Sequence, residues 1–224
     1  MWIFTWDGSV SNVYKGGDSL SKAYLQEDIV YPASGLPSAY QEVEYIASSW
    51  SWPYINTDFY PTNLTVSQLK VCPLMVTGDV IYGQFENGDT VDYRLFNASS
   101  IFYLDLPWWS WDYWNRIQGW SFPIWTVKEI EIWNFYVKNI GDSSNIISWS
   151  TVWAFTSQYS IRLNWTSKSY NRRYRVKIRD NWTLVRDFVP CYRKSDSVIW
   201  MYDLVNKQFY TNAWTGTFTK WPDV

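Results

Sequence analysis

From residue 36 onward, apolar and polar positions alternate in short runs, with turn residues between them. The runs fall at 42–46, 54–60, 65–71, 80–85, 90–96, 101–106, 126–137, 160–163, 174–179, 184–188 and 207–211. A period of two sends one set of side chains to a core and the other to water, the pattern of a half-buried strand. Hardly any window keeps a helical period beyond two turns. A segment near 195–203 is the one place where a short helix is expected. Many short strands closed by turns every 8–12 residues or so predict an all-β chain folded as a sandwich or jelly roll.

The first thirty residues carry a different rhythm, three blocks of ten reading MWIFTWDGSV, SNVYKGGDSL and SKAYLQEDIV. Phe4, Tyr14 and Tyr24 align across the blocks, as do Ile3, Val13 and Ala23, and Val10, Leu20 and Val30. Each block reads as an aromatic-centred strand, a polar turn and an apolar landing, so a small β meander is predicted. The alternative is three unrelated strands of a single sandwich. So short a module buries little surface alone and needs a partner chain or the main domain to lean on. Tyr31-Pro32-Ala33-Ser34-Gly35-Leu36-Pro37-Ser38 is rich in turn formers and reads as a linker. The expected organisation is therefore a repeat module at 1–32, a linker at 33–40 and one sandwich at 41–224.

Composition changes this picture at one point. Tryptophan occurs 18 times in 224 residues and glycine only 10 times. Several tryptophans stand where turn geometry asks for glycine. In Arg179-Asp180-Asn181-Trp182-Thr183-Leu184 two alternating runs meet at Asn-Trp, where a type I′ hairpin turn favours Asn-Gly because both central residues need positive φ. Ala213-Trp214-Thr215-Gly216, Lys220-Trp221-Pro222 and Leu106-Pro107-Trp108-Trp109-Ser110-Trp111 read the same way. If the chain carries these indoles, exposed rings at loop tips and positive φ at Trp182 are expected. The net charge of −2 points to neither nucleic acid nor an anionic membrane surface. No apolar run approaches the roughly 20 residues of a membrane span. Without histidine, imidazole-based triads and imidazole metal sites are excluded. Cys72 and Cys191 are too few for a disulfide framework and are expected as buried thiols. No metal or cofactor motif is present.

Two segments are more specific. Leu36-Pro37-Ser38-Ala39-Tyr40-Gln41-Glu42-Val43-Glu44-Tyr45-Ile46 leads to Tyr54-Ile55-Asn56-Thr57. Near the end stands Leu184-Val185-Arg186-Asp187-Phe188-Val189-Pro190-Cys191-Tyr192-Arg193-Lys194-Ser195-Asp196, then Met201-Tyr202-Asp203-Leu204-Val205-Asn206-Lys207-Gln208-Phe209-Tyr210. This pattern resembles the concanavalin A-like, laminin-G-like jelly-roll domains of bacteriophage and prophage structural proteins from gut bacteria. The resemblance spans roughly 36–224 and is strongest at its two ends; the N-terminal blocks resemble short repeats that precede such domains. It implies a concanavalin A-like jelly-roll β-sandwich in a virion component (tail fibre, head fibre or decoration protein) assembled in the bacterial cytoplasm. The implied partners are other virion proteins, further copies of the chain, and a host-surface or mucus glycan, with neither nucleic acid nor membrane insertion. Where the family has Asn-Gly-Thr, this chain has Asn181-Trp182-Thr183; Ile-Gly-Met/Leu-Tyr-Asp appears as Ile199-Trp200-Met201-Tyr202-Asp203, and Lys-Gly-Pro as Lys220-Trp221-Pro222. A gene that uses UGA for glycine, translated as though UGA meant tryptophan, produces these departures. A naturally tryptophan-rich binding surface is the other reading.

The densest aromatic segment is Trp108-Trp109-Ser110-Trp111-Asp112-Tyr113-Trp114-Asn115-Arg116, where rings beside hydrogen-bonding groups suit a sugar. If its tryptophans are glycines, only Asp112, Tyr113, Asn115 and Arg116 remain. Trp50, Trp52 and Tyr54 form a second cluster. Arg173, Arg175, Lys177 and Arg179 alternate with apolar residues and predict one basic strand face, which suits an anionic ligand or protects a sheet edge. Glycan-cleaving sandwiches need paired carboxylates. Glu129 and Glu131 are the pair available, and alternating Glu/Ile is ordinarily a solvated strand face. The expectation is thus a glycan-binding virion protein without catalysis. The alternatives are a decoration protein without ligand and a glycan depolymerase.

Overall fold

The computed structural model describes residues 2–6, 9–15, 18–19, 35–48, 53–74, 79–84, 93–98, 101–105, 116–121, 123–133, 136–148, 160–163, 171–213 and 215–224. Every regular element among them is a β-strand, and all pairings are antiparallel. The chain divides into two compact units, Met1–Pro37 and Ser38–Val224.

In the first unit β1 (Trp2–Trp6), β2 (Ser9–Lys15) and β3 (Asp18–Ser19) form a three-stranded meander. Trp2 lies opposite Tyr14, and Tyr14 opposite Ser19. The third sequence block, 21–30, lies outside the described residues.

The second unit is built from two sheets. The smaller has the order β11-β10-β9-β8-β15-β6, from β6 (Ile55–Asn56), β8 (Asp79–Gln84), β9 (Tyr93–Ala98), β10 (Ile101–Asp105), β11 (Arg116–Ser121) and β15 (Arg162–Leu163). The larger runs β14-β13-β12-β7-β16-β17-β18-β19. Its strands are β7 (Thr65–Pro73), β12 (Lys128–Trp133), β13 (Tyr136–Asn139), β14 (Asp142–Ser148), β16 (Asn171–Asp180), β17 (Thr183–Arg193), β18 (Ile199–Asp203) and β19 (Gln208–Tyr210). Three short strands, β4 (Tyr40–Glu42), β5 (Ile46–Ser48) and β20 (Phe218–Lys220), complete it. The long strands β16 and β17 pair from Asp180 back to Val176 and are splayed beyond. The start of the unit fills the fork: β4 pairs with β17, β5 with β16, and β20 returns to pair with β5.

One apolar cluster joins the sheets. Leu69, Val71, Ile130, Ile132, Val137, Val176, Ile178 and Phe188 come from the larger, and Ile55, Ile81, Tyr82, Leu95, Phe102, Leu104 and Leu163 from the smaller. Apart from the neighbours Ile81 and Tyr82, where the register of β8 shifts, these residues sit at alternate positions of their strands, so the period-two pattern of 65–71 and 174–179 has become a two-layer core. Polar groups cross it in pairs. Ser67 hydrogen-bonds Tyr82 between the layers and Arg173 donates across them to the Ile81 carbonyl, while the Thr57 hydroxyl donates to the Ile161 carbonyl at 2.7 Å beside the paired strands β6 and β15 of the smaller sheet. Gly119 of β11 packs against the ring of Phe102, so closely that a Cβ there would lie 1.7 Å from that ring. Cys72 and Cys191 are free and buried, and burial pushes the Cys191 thiol up to about 12.

The helix expected near 195–203 is corrected. Residues 194–196 are a turn, and Ile199–Asp203 is a strand paired with β17 on one side and β19 on the other. Trp200, Met201, Tyr202 and Asp203 are all buried, and sheet pairing on both edges outweighs local helical preference. The run at 126–137 is two strands, β12 and β13, which pair as a hairpin from Ile130 with Asn139 to Trp133 with Tyr136.

Candidate functional site

Strand register assembles the outer face of the larger sheet. Gln68 of β7 lies opposite Glu131 of β12 on one side and Lys177 of β16 on the other. Glu131 in turn lies opposite Lys138 of β13. With Ile130, Ile132 and Leu69 committed to the core, these polar residues share the opposite face. The Glu131 carboxylate accepts hydrogen bonds at 2.6 Å from Gln68 Nε2 and from the Tyr136 hydroxyl, and Lys138 Nζ pairs with it at 2.6 Å. Arg179 Nη1 donates to Gln68 Oε1 at 3.0 Å, which extends the row across four strands. Burial alone raises the Glu131 carboxyl, but the bonds from Lys138, Tyr136 and Gln68 outweigh it and hold the group below the usual carboxylate range. Burial and the adjoining carboxylate push the Tyr136 phenol above its ordinary value, so it stays a donor. Lys138 Nζ lies 5.3 Å from the centre of the Tyr136 ring. Trp133 meets Tyr136 edge-on at 5.6 Å and Trp182 at 5.4 Å, and Trp182 is 67% exposed.

A second cluster gathers around Arg172 at the fork. Its guanidinium lies over the Tyr45 ring at 4.7 Å and over the Trp125 ring at 5.4 Å. Tyr45 stacks on Trp221 with planes 8° apart and tilts against Tyr174 at 5.2 Å. Lys70 Nζ sits 5.8 Å from the centre of the Tyr174 ring. Trp125 and Trp221 are exposed at this cluster, at 62% and 57%.

The basic face predicted for β16 is split. The register of β16 on β7 shifts between Arg173 and Arg175, which leaves Tyr174 and Arg175 both partly exposed and turns Arg173 inward opposite Val71. Arg173 is fully buried and donates to the Ile81 carbonyl of the other sheet and, at 3.1 Å, to Asn171 Oδ1. Burial lowers its guanidinium to about 9, against the opposing influence of Tyr82. Arg173 therefore ties the two layers together and is no surface ligand. Arg175 is half-buried in a two-pronged pair with Asp187, at 2.8 and 2.7 Å. That pair raises its guanidinium further and commits its Nε and one Nη donor to Asp187.

The remaining predicted residues fall as follows. Trp108, Trp109, Trp111, Asp112, Tyr113, Trp114 and Asn115 lie outside the described residues, as do Trp50 and Trp52. Arg116 opens β11 opposite Asp105. Tyr54 is part-buried; its N–H donates to Asn212 Oδ1 at 3.2 Å, its carbonyl accepts from Ala213 at 3.0 Å, and Arg162 covers its ring at 5.2 Å. Glu129 is exposed beside Glu131 on the outer face. Among the described residues no group of three or more acidic or cysteine side chains could hold a metal ion. Tyr45, Lys70, Arg172 and Tyr174 are absent from the sequence-based candidates, because β5, β7, β16 and β20 meet only through long-range pairing.

Comparison of the chain with protein families, with curated proteins and with solved structures gives no match.

Proposed function

We propose that this chain is a bacteriophage virion structural protein, a tail-fibre, head-fibre or decoration component, whose second unit binds host-surface or mucus glycans without cleaving them. The sequence resemblance suggests the setting. The observation that carries the binding reading is the row of rings and hydrogen-bonding groups on the outer face of the larger sheet. Tyr174 and Tyr136 offer ring faces of the kind that cover the C–H face of a sugar, and Arg172, Lys70 and Lys138 stand beside them to reach hydroxyls or acidic substituents. The segment at 108–116 remains a further candidate contact, with Asp112, Tyr113, Asn115 and Arg116 as its polar and phenolic groups. Single sites of this kind bind weakly, and copies arrayed on a particle supply avidity. The N-terminal repeats serve as the attachment or oligomerisation element, and the particle assembles in the bacterial cytoplasm.

Glu131 fits a structural role better than a catalytic one. A glycosidase acid needs a raised pKa, whereas three donors lower this one.

A glycan array probed with the protein multimerised on beads tests the proposal. Binding that is lost in Tyr174→Ala and Arg172→Ala, with folding intact by circular dichroism, is expected. Silence across the array at high avidity supports a decoration protein without ligand. Release of new reducing ends from a polysaccharide, abolished by Glu129→Gln or Glu131→Gln, supports a depolymerase.

A further inference from the structure

Two tryptophans of the outer face hold backbone positions that L-residues of their size avoid. Trp125 has φ 62° and Trp182 has φ 66°, both in the left-handed region. There the Cβ of an L-residue crowds the backbone, and a bulky side chain is a true outlier where glycine is free of cost. Among the described residues the other non-glycine positions with positive φ are Asp58, Asn181, Ser197 and Lys207, polar residues suited to turns. Asn181 at φ 45° followed by Trp182 builds the two-residue hairpin turn whose preferred second residue is glycine. Neither indole recovers this strain through burial, since Trp125 is 62% and Trp182 67% exposed. Trp221, 57% exposed ahead of Pro222, is a third large ring on the surface. Trp200 points the same way from inside the fold: its indole nitrogen is buried and meets no acceptor among the described residues. A sequence with 18 tryptophans and 10 glycines has the imbalance that one misread codon produces.

We infer that Trp125 and Trp182, and with them Trp200 and Trp221, stand where the polypeptide made in its native cell carries glycine, and that tyrosines are the ligand-facing rings of this surface. The assignment of glycine is independent of the proposed function; the ligand surface rests on it. Glycine at 125 and 221 uncovers the Arg172 guanidinium and the Tyr45 ring that the two indoles now cover. Glycine at 182 removes the ring leaning on Trp133 and leaves Tyr136 and Lys138 as the contacts at that end. The site then becomes two tyrosine–cation pairs, Tyr174 with Lys70 and Tyr136 with Lys138, with Arg172, still lying over Tyr45, beyond the first pair at the fork. Such a surface suits an acidic or hydroxyl-rich sugar.

Peptide mass spectrometry on the protein from its native source decides the assignment. Glycine at 125 and 182 is expected; tryptophan at either position overturns the inference. A second measurement uses the recombinant chain. Trp125→Gly and Trp182→Gly should each raise the melting temperature, by roughly 2–4 °C per site, while Trp182→Ala, which keeps a Cβ in the left-handed region, should gain less. A fall in melting temperature in both glycine variants overturns the strain argument. The binding consequence is read separately on the glycan array, with the triple variant Trp125→Gly, Trp182→Gly, Trp221→Gly. Retained binding that is lost on adding Tyr174→Ala supports the tyrosine surface, and loss of binding in the triple variant alone overturns it. Glycine in the native peptides together with a silent array would sink the glycan reading and leave the codon assignment standing.

Discussion

Glu131 shows how one residue can be fixed by its strand neighbours on both sides. It lies between Gln68 and Lys138 in register, and Tyr136 closes over it from two residues along β13. Because its folded-state pKa is lowered, the stabilisation it contributes is complete above the unfolded value of about 4.3 and is lost as pH falls through the folded value. Glu131→Gln keeps the shape and removes the charge. It should cost roughly 1–3 kcal/mol at pH 7, and much less near pH 3. Chemical denaturation of parent and variant at the two pH values checks this; equal losses at both would remove the carboxylate from the account. Arg173 makes the opposite point. Its alternation with Arg175 and Lys177 placed it on the surface, and a single extra residue in β16 carries it into the core. Such a bulge has no sequence signature here, because Tyr174 and Arg175 both tolerate a half-exposed position.

At the scale of elements, legibility in the sequence follows locality. The hairpin β16–β17 was visible in Asn181 and the alternating runs beside it, and its turn has positive φ at both central residues. Strands β7, β8 and β10 lie within a residue or two of their alternating runs. Strand β18 was hidden because its burial on both faces gives Trp200, Met201 and Tyr202 no alternation. Strands β11, β14 and β20 passed unseen. β20 has only three residues and owes its existence to β5, far away in sequence. The pair β10–β11 offers a test of packing at this scale. Gly119→Ala should destabilise by about 1–3 kcal/mol, since its methyl would enter the Phe102 ring. Phe102→Leu should be less harmful in that background than in the parent, and a double-mutant cycle in urea measures the difference. Strictly additive losses would show that the contact is not what makes glycine necessary.

Over the whole molecule, the second unit is held together by its two ends. Phe218 is buried against Trp200, and β20 lies beside β5, with Val43 bridged to Asp223 further along. Phe218→Ala should therefore cost roughly 3–5 kcal/mol although it sits near the C-terminus. A fragment of residues 38–224 should unfold in one cooperative transition at the temperature of the second unit in the full chain. Differential scanning calorimetry of both reads this directly, and a markedly lower midpoint for the fragment would show that the first unit supports the second.

The same seam governs how the unit responds to a pull. Ile46 faces Lys220 and Ser48 faces Phe218, so the two chain directions leave the pair from the same end. Tension between residues 38 and 224 loads this seam as a zip, one hydrogen bond after another, and never as a lap joint in shear. The sandwich is therefore mechanically soft along its own chain axis. A copy tethered through one end and loaded on the sheet face would carry force across the face and spare the seam.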